Sequence, residues 1–454
     1  MLGDAATAGS GERHYIHRVP RWIKEMTSSK AYTPSLVSLG PFHHGDPALL
    51  PMEAHKQRAV VSLVRRSGKP LREFVDAVGE VAPRLEAAYE RLGDDWISSE
   101  RFVEVMLTDG CFLLELVRAF LLEGEVDEDE YGPDNPVFSK HGYRHLRHVL
   151  LSDVLLMENQ LPMLLLYKIL SILNPSLSYS MDRRVKGKQR THLLWIQEGR
   201  LGSLQEPKAI HPLHYFLTGG DDFPKAVRLV GAACSASFAF RKTLYLPAPD
   251  FSLLRKLVNK LLSFCGLGAS LQSEDDSESM PTATELHEAG IHFMATVTGY
   301  GERRKVEGIS FERGILSIPV VHVDDYTEKK YLNLMAFERL EPGAGHDVTD
   351  FIFFMDGIID SAMDVALLRS SGVIVNLLGS DEDVANLFSK VLSKGAALSQ
   401  DSKLRGVYKD VNAHCRKPWN KWRAIFMQTY LAAVILLVAT LVQTVYSVAA
   451  FYQG

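Results

Sequence analysis

The 454-residue chain has little cysteine and none of the short motifs that mark common enzyme classes. Its four cysteines form no C-x-x-C pair, so neither a zinc knuckle nor a disulfide framework is indicated. There is no P-loop, G-x-S-x-G or H-E-x-x-H sequence, and no cofactor is predicted. The N-terminus lacks the basic and apolar regions of a signal peptide. The net charge of −5 gives no electrostatic reason to expect a nucleic acid partner.

Charged residues and histidine are absent from residues 424–454. A helix needs about 20 apolar residues to cross the hydrocarbon core of a membrane, so residues 424–452 are predicted to form one C-terminal transmembrane helix. Basic residues flank the cytoplasmic side of such helices, and here they precede the segment: Arg416, Lys417, Lys421 and Arg423. The chain is therefore predicted to be a single-pass protein that contacts lipid through this helix. Its body would be cytosolic, on either the plasma membrane or an endomembrane.

A stripe of small polar residues runs along the predicted transmembrane helix. Thr440, Gln443, Thr444 and Ser447 follow the spacing of one helix face. Such side chains can hydrogen-bond between helices in lipid, which predicts homo- or hetero-association. The alternative is that the hydroxyl groups bond back to their own helix, which would then be a plain anchor.

The pattern of apolar residues predicts a mainly α fold with a small antiparallel β-sheet. Five regions are expected: a disordered N-terminus at 1–14, a helical domain at 15–271, an acidic flexible linker at 272–281, an α+β continuation at 282–415, and the terminal helix. Alternating apolar residues and a turn at Arg313-Gly314 place the sheet at about 291–323. Pro319 predicts that the last strand of this hairpin lies at an edge.

Residues 100–122 and 146–173 are apolar on more of their surface than the other predicted helices. We expect these segments to be central core helices. Pro162 is expected to split the second one, since proline removes a backbone hydrogen bond. Pro51 is expected to begin another helix.

The candidate metal ligands are His141, His145 and His148, which share a face of a predicted helix. Three histidines can hold zinc with an open coordination position. The alternative is that these histidines belong to the polar first turns of a helix with basic neighbours. No metal is therefore predicted. His43 and His44 point apart in an extended chain, so they are not expected to act as joint ligands.

Four carboxylates interrupt apolar runs: Asp109, Glu115, Asp153 and Glu158. Buried carboxylates have perturbed pKa values, and such groups cluster at functional sites. One interpretation is therefore an enzyme that uses these groups or the histidines. The other is that they bond arginine, asparagine or helix ends and hold the core in register. No catalytic residue is predicted.

The same segments resemble the plant family called "domain of unknown function 247". The resemblance is carried by ordered blocks along nearly the whole chain: Tyr15-Ile-His-Arg-Val-Pro20, Tyr32 to Gly45, Met52 to Lys56, Asp109-Gly-Cys-Phe112, Glu158-Asn-Gln-Leu-Pro162, Ala283 to Phe293 and Asn333 to Glu338. Phe42 stands where the family often has Tyr, and Met335 where it commonly has Ile. The resemblance implies a land-plant protein with a terminal membrane helix and no defined catalytic residues. Some grass members are implicated in self-incompatibility on the pollen side.

These observations predict a non-enzymatic, membrane-anchored recognition or signalling protein with an unidentified protein partner. An enzyme is one alternative. A structural anchor that localises a partner is another.

Overall fold

The computed structural model describes residues 16–121, 128–132, 135–173, 280–296, 306–341, 344–417 and 439–444. The helices of its N-terminal part are α1 (Arg21–Met26), α2 (Leu50–Ser67), α3 (Leu71–Glu86), α4 (Glu100–Leu121), α5 (Glu128–Tyr131), α6 (Lys140–Val154) and α7 (Met163–Leu173). Those of its C-terminal part are α8 (Ala283–Glu288), α9 (Thr327–Leu340), α10 (Asp347–Ile358), α11 (Ala362–Ser370), α12 (Asp381–Asn386) and α13 (Leu404–Cys415). A π-helical turn, Leu387–Leu392, follows α12.

Local sequence explains where several of these helices begin and end. Pro51 lies in the first turn of α2, and Gly68 ends that helix with a φ of 68°, a left-handed conformation that glycine adopts without strain. Pro162 separates α6 from α7, as predicted, although the break is wider and runs from Leu155 to Pro162. The predicted core helix at 100–122 is α4.

The strands are β1 (His292–Thr296), β2 (Ser310–Glu312), β3 (Ile315–Pro319), β4 (Val321–Val323) and β5 (Ile374–Asn376). The predicted hairpin is confirmed: β2 pairs antiparallel with β3, and the turn residues Arg313 and Gly314 have φ values of 51° and 84°. The mainly α fold with a small sheet is also confirmed.

Two predictions about the sheet are wrong: that it is purely antiparallel, and that the strand containing Pro319 lies at its edge. β1 pairs with β3 in parallel, and β4 pairs in parallel with β5 in a second, two-stranded sheet. β3 is the central strand of the order β1-β3-β2. Pro319 is tolerated there because the pairing of β3 with β2 ends at Ser317, so Pro319 has a partner strand on the β1 side only. Parallel pairing also needs a long connection, which alternation within one strand does not reveal.

The buried side chains form two hydrophobic cores. The first packs α2, α3, α4 and α7, with Phe74, Phe102 and Phe112 among its fully buried side chains. The second packs the sheets against α9, α10 and α11. The N-terminal segment contributes to both, since Val37 and Leu39 lie in the first core while Ile23 and Tyr32 lie in the second. The two cores are therefore joined by chain that precedes α2.

The prediction of a C-terminal transmembrane helix is also wrong. In the part of the chain described, no helix is both long enough and apolar enough to cross a membrane. Within 424–452 the structure describes only residues 439–444, which are helical.

Several regional predictions lie outside the described residues. These are the disordered N-terminus at 1–14, the linker at 272–279 and the part of the helical domain from 174 to 271. Met280, near the end of the predicted linker, is buried in the second core.

Candidate functional site

Asp153, at the end of α6, binds the backbone of the N-terminal segment. Its carboxylate accepts hydrogen bonds from the N–H groups of Ser35, Leu36 and Val37, at 2.9, 2.7 and 3.1 Å. The side chain is fully buried. Burial raises the pKa of Asp153, while the three backbone donors act in the opposite direction. The carboxylate therefore fixes three consecutive peptide groups.

Glu158 fixes the start of the same segment. It accepts from the backbone N–H of Val19 at 2.7 Å and lies 2.8 Å from Lys24 Nζ. His43 Nε2 lies 3.5 Å from the other carboxylate oxygen. Burial by itself would raise the pKa of Glu158, but His43, Lys24 and the Val19 N–H together hold it below its ordinary value. The group is thus an ionised anchor.

Two asparagines complete this arrangement. Asn159 Oδ1 accepts from the Leu39 N–H at 2.6 Å, and its Nδ2 donates to Val37 O at 3.0 Å. Asn333, on α9 in the second core, accepts from the Met157 N–H and donates to Ala31 O, at 2.9 and 2.8 Å. We call the loop 153–160, the segment 19–39 that it binds, and Asn333 the clasp. It connects the two cores through buried hydrogen bonds.

A buried lysine lies beside the clasp. Lys56 Nζ is 2.7 Å from Asp109 Oδ1 and 2.7 Å from Glu53 Oε1, and it donates to Ser38 Oγ at 3.1 Å. Asp109 also accepts from the Gly40 N–H at 2.8 Å. Burial raises the pKa of Asp109 to about 6, despite the opposing charge of Lys56. This ion pair attaches the N-terminal segment to α2 and α4.

Gly40 is required at this point by its surroundings. It has a φ of 75°, and a Cβ atom there would lie 2.7 Å from Tyr89 Oη and 2.9 Å from Gln160 O. Those two atoms are themselves hydrogen-bonded at 2.9 Å. A larger residue would therefore disturb the contact between Tyr89, which follows α3, and the clasp loop.

Glu115 and Glu338 are used in the same structural way elsewhere. Glu115 accepts from Arg66 and from the Tyr131 hydroxyl, the latter at 2.8 Å. Glu338 accepts from the N–H groups of Val348 and Thr349 at the start of α10, at 2.8 and 2.9 Å. Burial raises the pKa of Glu338 to about 7 against these donors.

The structure does not bring the three candidate metal ligands together. The rings of His141 and His145 lie 4.4 Å apart, but His148 is stacked on Tyr326 and accepts from Arg147 Nε at 3.0 Å. Burial and Arg147 lower the pKa of His148. Among the residues that the structure describes, no group of three His, Cys, Asp or Glu side chains is placed to hold a metal ion.

The two histidines after Phe42 also have separate surroundings. His43 faces Glu158, whereas the His44 ring contacts Trp96 edge-on at 5.6 Å. The two side chains therefore face different partners.

The predicted association stripe is only partly described. Thr444 Oγ1 donates to Thr440 O at 2.7 Å, which is the back-bonding named as the alternative. Gln443 is described on the same short helix, and Ser447 lies outside the described residues. Of the basic residues, Arg416 and Lys417 follow α13, and Lys421 and Arg423 lie outside the described part.

Sequence reasoning missed Lys56 as a buried partner of Asp109, although a signal was present. Met52, Lys56, Ala59, Val60 and Leu63 are all buried on α2, so Lys56 occupies the apolar stripe of an amphipathic helix. A charge at such a position needs a buried partner. The partner itself could not be identified from the spacing, since 53 residues separate the two.

Apart from Ala283 to Phe293, the blocks that carry the family resemblance thus contribute residues to the clasp or its neighbouring ion pair. A family model described as "Plant protein of unknown function", DUF247, matches residues 16–449. This chain belongs to that family.

Two curated relatives from Arabidopsis thaliana match most of the chain. The UPF0481 protein At3g47200 is 24% identical over 423 residues, covering 91% of this chain and 80% of its own length. A second UPF0481 protein, At3g02645, is 22% identical over 498 residues, covering 94% and 89%. No solved structure matches this DUF247 chain.

Proposed function

We propose that this DUF247 protein is a non-enzymatic recognition protein that acts by binding another protein. One observation carries the proposal: the four buried carboxylates that interrupt apolar runs, Asp109, Glu115, Asp153 and Glu158, are each bound by donors of the same chain. A catalytic carboxylate must present an oxygen to substrate within hydrogen-bond reach. Here the oxygens fasten segments of backbone and side chains.

The enzyme interpretation gives these groups a different use. The pKa of about 6 at Asp109 lies in the range of a general base. Its oxygens, however, face Lys56 and the Gly40 N–H inside the core, and the side chain is 1% exposed. This location supports the structural use over the catalytic one.

Proximity labelling with the full chain in pollen and in leaf tests the proposal. We expect a defined protein neighbour that the purified full chain then binds directly and saturably.

The same purified proteins are incubated with a small-molecule extract from the same tissues. Turnover of a compound that Asp109→Asn abolishes, while the fold and neighbour binding persist, would overturn the proposal in favour of an enzyme. Labelling indistinguishable from that of an unrelated protein would also overturn it. A role on the pollen side of self-incompatibility and the cytosolic location stay predictions.

A further inference from the structure

A groove of about 380 Å³ lies between α2 and α5. The groove is lined on the α2 side by Gln57, Arg58, Val61, Ser62 and Arg65, and on the α5 side by Glu130 and Tyr131. Val61 is 66% exposed although it is apolar, whereas Ser62 is 3% exposed. The groove therefore combines an exposed apolar contact with a buried hydroxyl at its base.

The α5 wall of the groove is held in place by a charge-balanced cluster. Glu130 pairs with Arg118 and Arg66, and both arginines also contact Glu115. Tyr131 donates to Glu115 at 2.8 Å. Two carboxylates and two guanidinium groups leave this cluster without net charge. The wall is a preformed surface, so a ligand would not have to order it.

Two arginines on the α2 side have no such balance. Arg58 and Arg65 are exposed and form no ion pair with any carboxylate that the structure describes. Seven residues of α-helix place their Cα atoms about 10 Å apart along the axis. Arginine is suited to carboxylate groups because its donors form a planar fork.

Ser62 lies between these arginines along α2. Burial raises the pKa of the Tyr131 phenol, and the nearby Ser62 hydroxyl acts in the opposite direction. Within the described part of the chain, the Ser62 hydroxyl makes no hydrogen bond of normal geometry. A buried hydroxyl without a bond favours a ligand that supplies one.

We propose that this groove binds an acidic peptide segment of the protein partner, with two carboxylates about 10 Å apart that meet Arg58 and Arg65. An apolar residue between those carboxylates packs on Val61. The charge of Glu130 is balanced by Arg66 and Arg118, so the α5 wall adds no net attraction and the carboxylates of the segment are drawn to the α2 side of the groove. The inference rests on the proposed recognition function and names the chemistry of its partner.

Fluorescence anisotropy with the purified full chain tests the groove. The probe is a labelled peptide of four Glu-Ala-Leu repeats, whose glutamates lie about 10 Å apart when extended. A peptide of four Gln-Ala-Leu repeats is the uncharged control. We expect saturable binding of the first peptide only, weakening as salt is raised because exposed charges are screened.

The double variant Arg58→Gln with Arg65→Gln should bind the peptide roughly tenfold more weakly. Arg21→Gln with Arg72→Gln removes the same charge from two exposed arginines on other helices, and should change affinity less than about twofold. Ser62→Ala should give a smaller loss than the groove pair. Circular dichroism checks that each variant retains the fold.

Equal losses in both double variants, or no binding to the unaltered chain, would overturn the groove. Stronger binding of single-stranded RNA or anionic vesicles, lost in the groove variant, would also overturn the peptide assignment. A labelled neighbour that the groove variant still binds would refute the groove and leave the recognition function intact. If no neighbour is labelled but the peptide binds through Arg58 and Arg65, the recognition function is refuted and the peptide-binding groove is supported.

Discussion

Replacing Asp153 by alanine should open the clasp locally before it affects the rest of the fold. The substitution removes three acceptor contacts to consecutive N–H groups. Ser35 is exposed, so water can satisfy its N–H, but Val37 is fully buried and Leu36 is half-buried. Two peptide groups are therefore left partly or wholly without a partner, and each costs about 1–3 kcal/mol.

The loss is reduced by one opposing contribution. Burial raises the pKa of Asp153, which means that the native state pays a desolvation cost for this carboxylate that alanine no longer carries. We therefore expect a net loss of about 3 kcal/mol of local stability. This corresponds to roughly a hundredfold faster amide exchange when local opening limits exchange.

Hydrogen exchange measured by mass spectrometry on peptides covering 33–40 provides the assay. Asp410→Ala serves as the control, because Asp410 is exposed on α13 and the same substitution there should change exchange by less than about 0.5 kcal/mol. Exchange in 33–40 that rises less than about fivefold in Asp153→Ala would refute the reasoning.

Three further substitutions test Gly40 and Lys56 beside the clasp and the buried carboxylate Glu338 elsewhere. Gly40→Ala should destabilise by about 2–3 kcal/mol through strain and the contact with Tyr89, whereas Gly45→Ala, with positive φ but open space, should cost about 1 kcal/mol in thermal unfolding. Lys56→Met should cost about 3–5 kcal/mol by leaving Asp109 unpaired, and adding Asp109→Asn should recover at least half; a cost below about 1 kcal/mol would contradict the ion pair. The folded-state pKa of Glu338 is raised from 4.5 to about 7, so its stabilising contribution is complete below pH 4.5 and is lost, by roughly 3 kcal/mol, as pH rises to 7. Glu338→Gln should flatten unfolding-midpoint profiles across that window, and an unchanged slope would be inconsistent with this raised pKa.

Periodicity predicted the parts of the fold that depend on neighbours along the chain. The core helix at 100–122, the break at Pro162 and the Arg313-Gly314 hairpin follow from local patterns, and each is present. The parallel partners of β3 and β4 were not predicted, because pairing between distant segments leaves no mark on the alternation within one strand.

The candidate site shows the same division. Burial of Asp109, Asp153 and Glu158 could be inferred from the apolar residues around them. Their donors could not, since Val19, Ser35 and Gly40 contribute backbone N–H groups that every residue type except proline possesses. Side-chain identity therefore indicated where carboxylates are buried, and only the fold shows what they bind.

The measurement that tests the central claim most directly is hydrogen exchange in Glu158→Gln, with small-molecule turnover assayed on the same protein. If Glu158 fastens the N-terminal segment, exchange in peptides covering 16–26 should accelerate, because Lys24 loses its ionised partner and the Val19 N–H loses a charged acceptor. Exchange that stays unchanged in these peptides, together with the loss of a turnover that the unaltered chain performs, would contradict the account and identify Glu158 as catalytic.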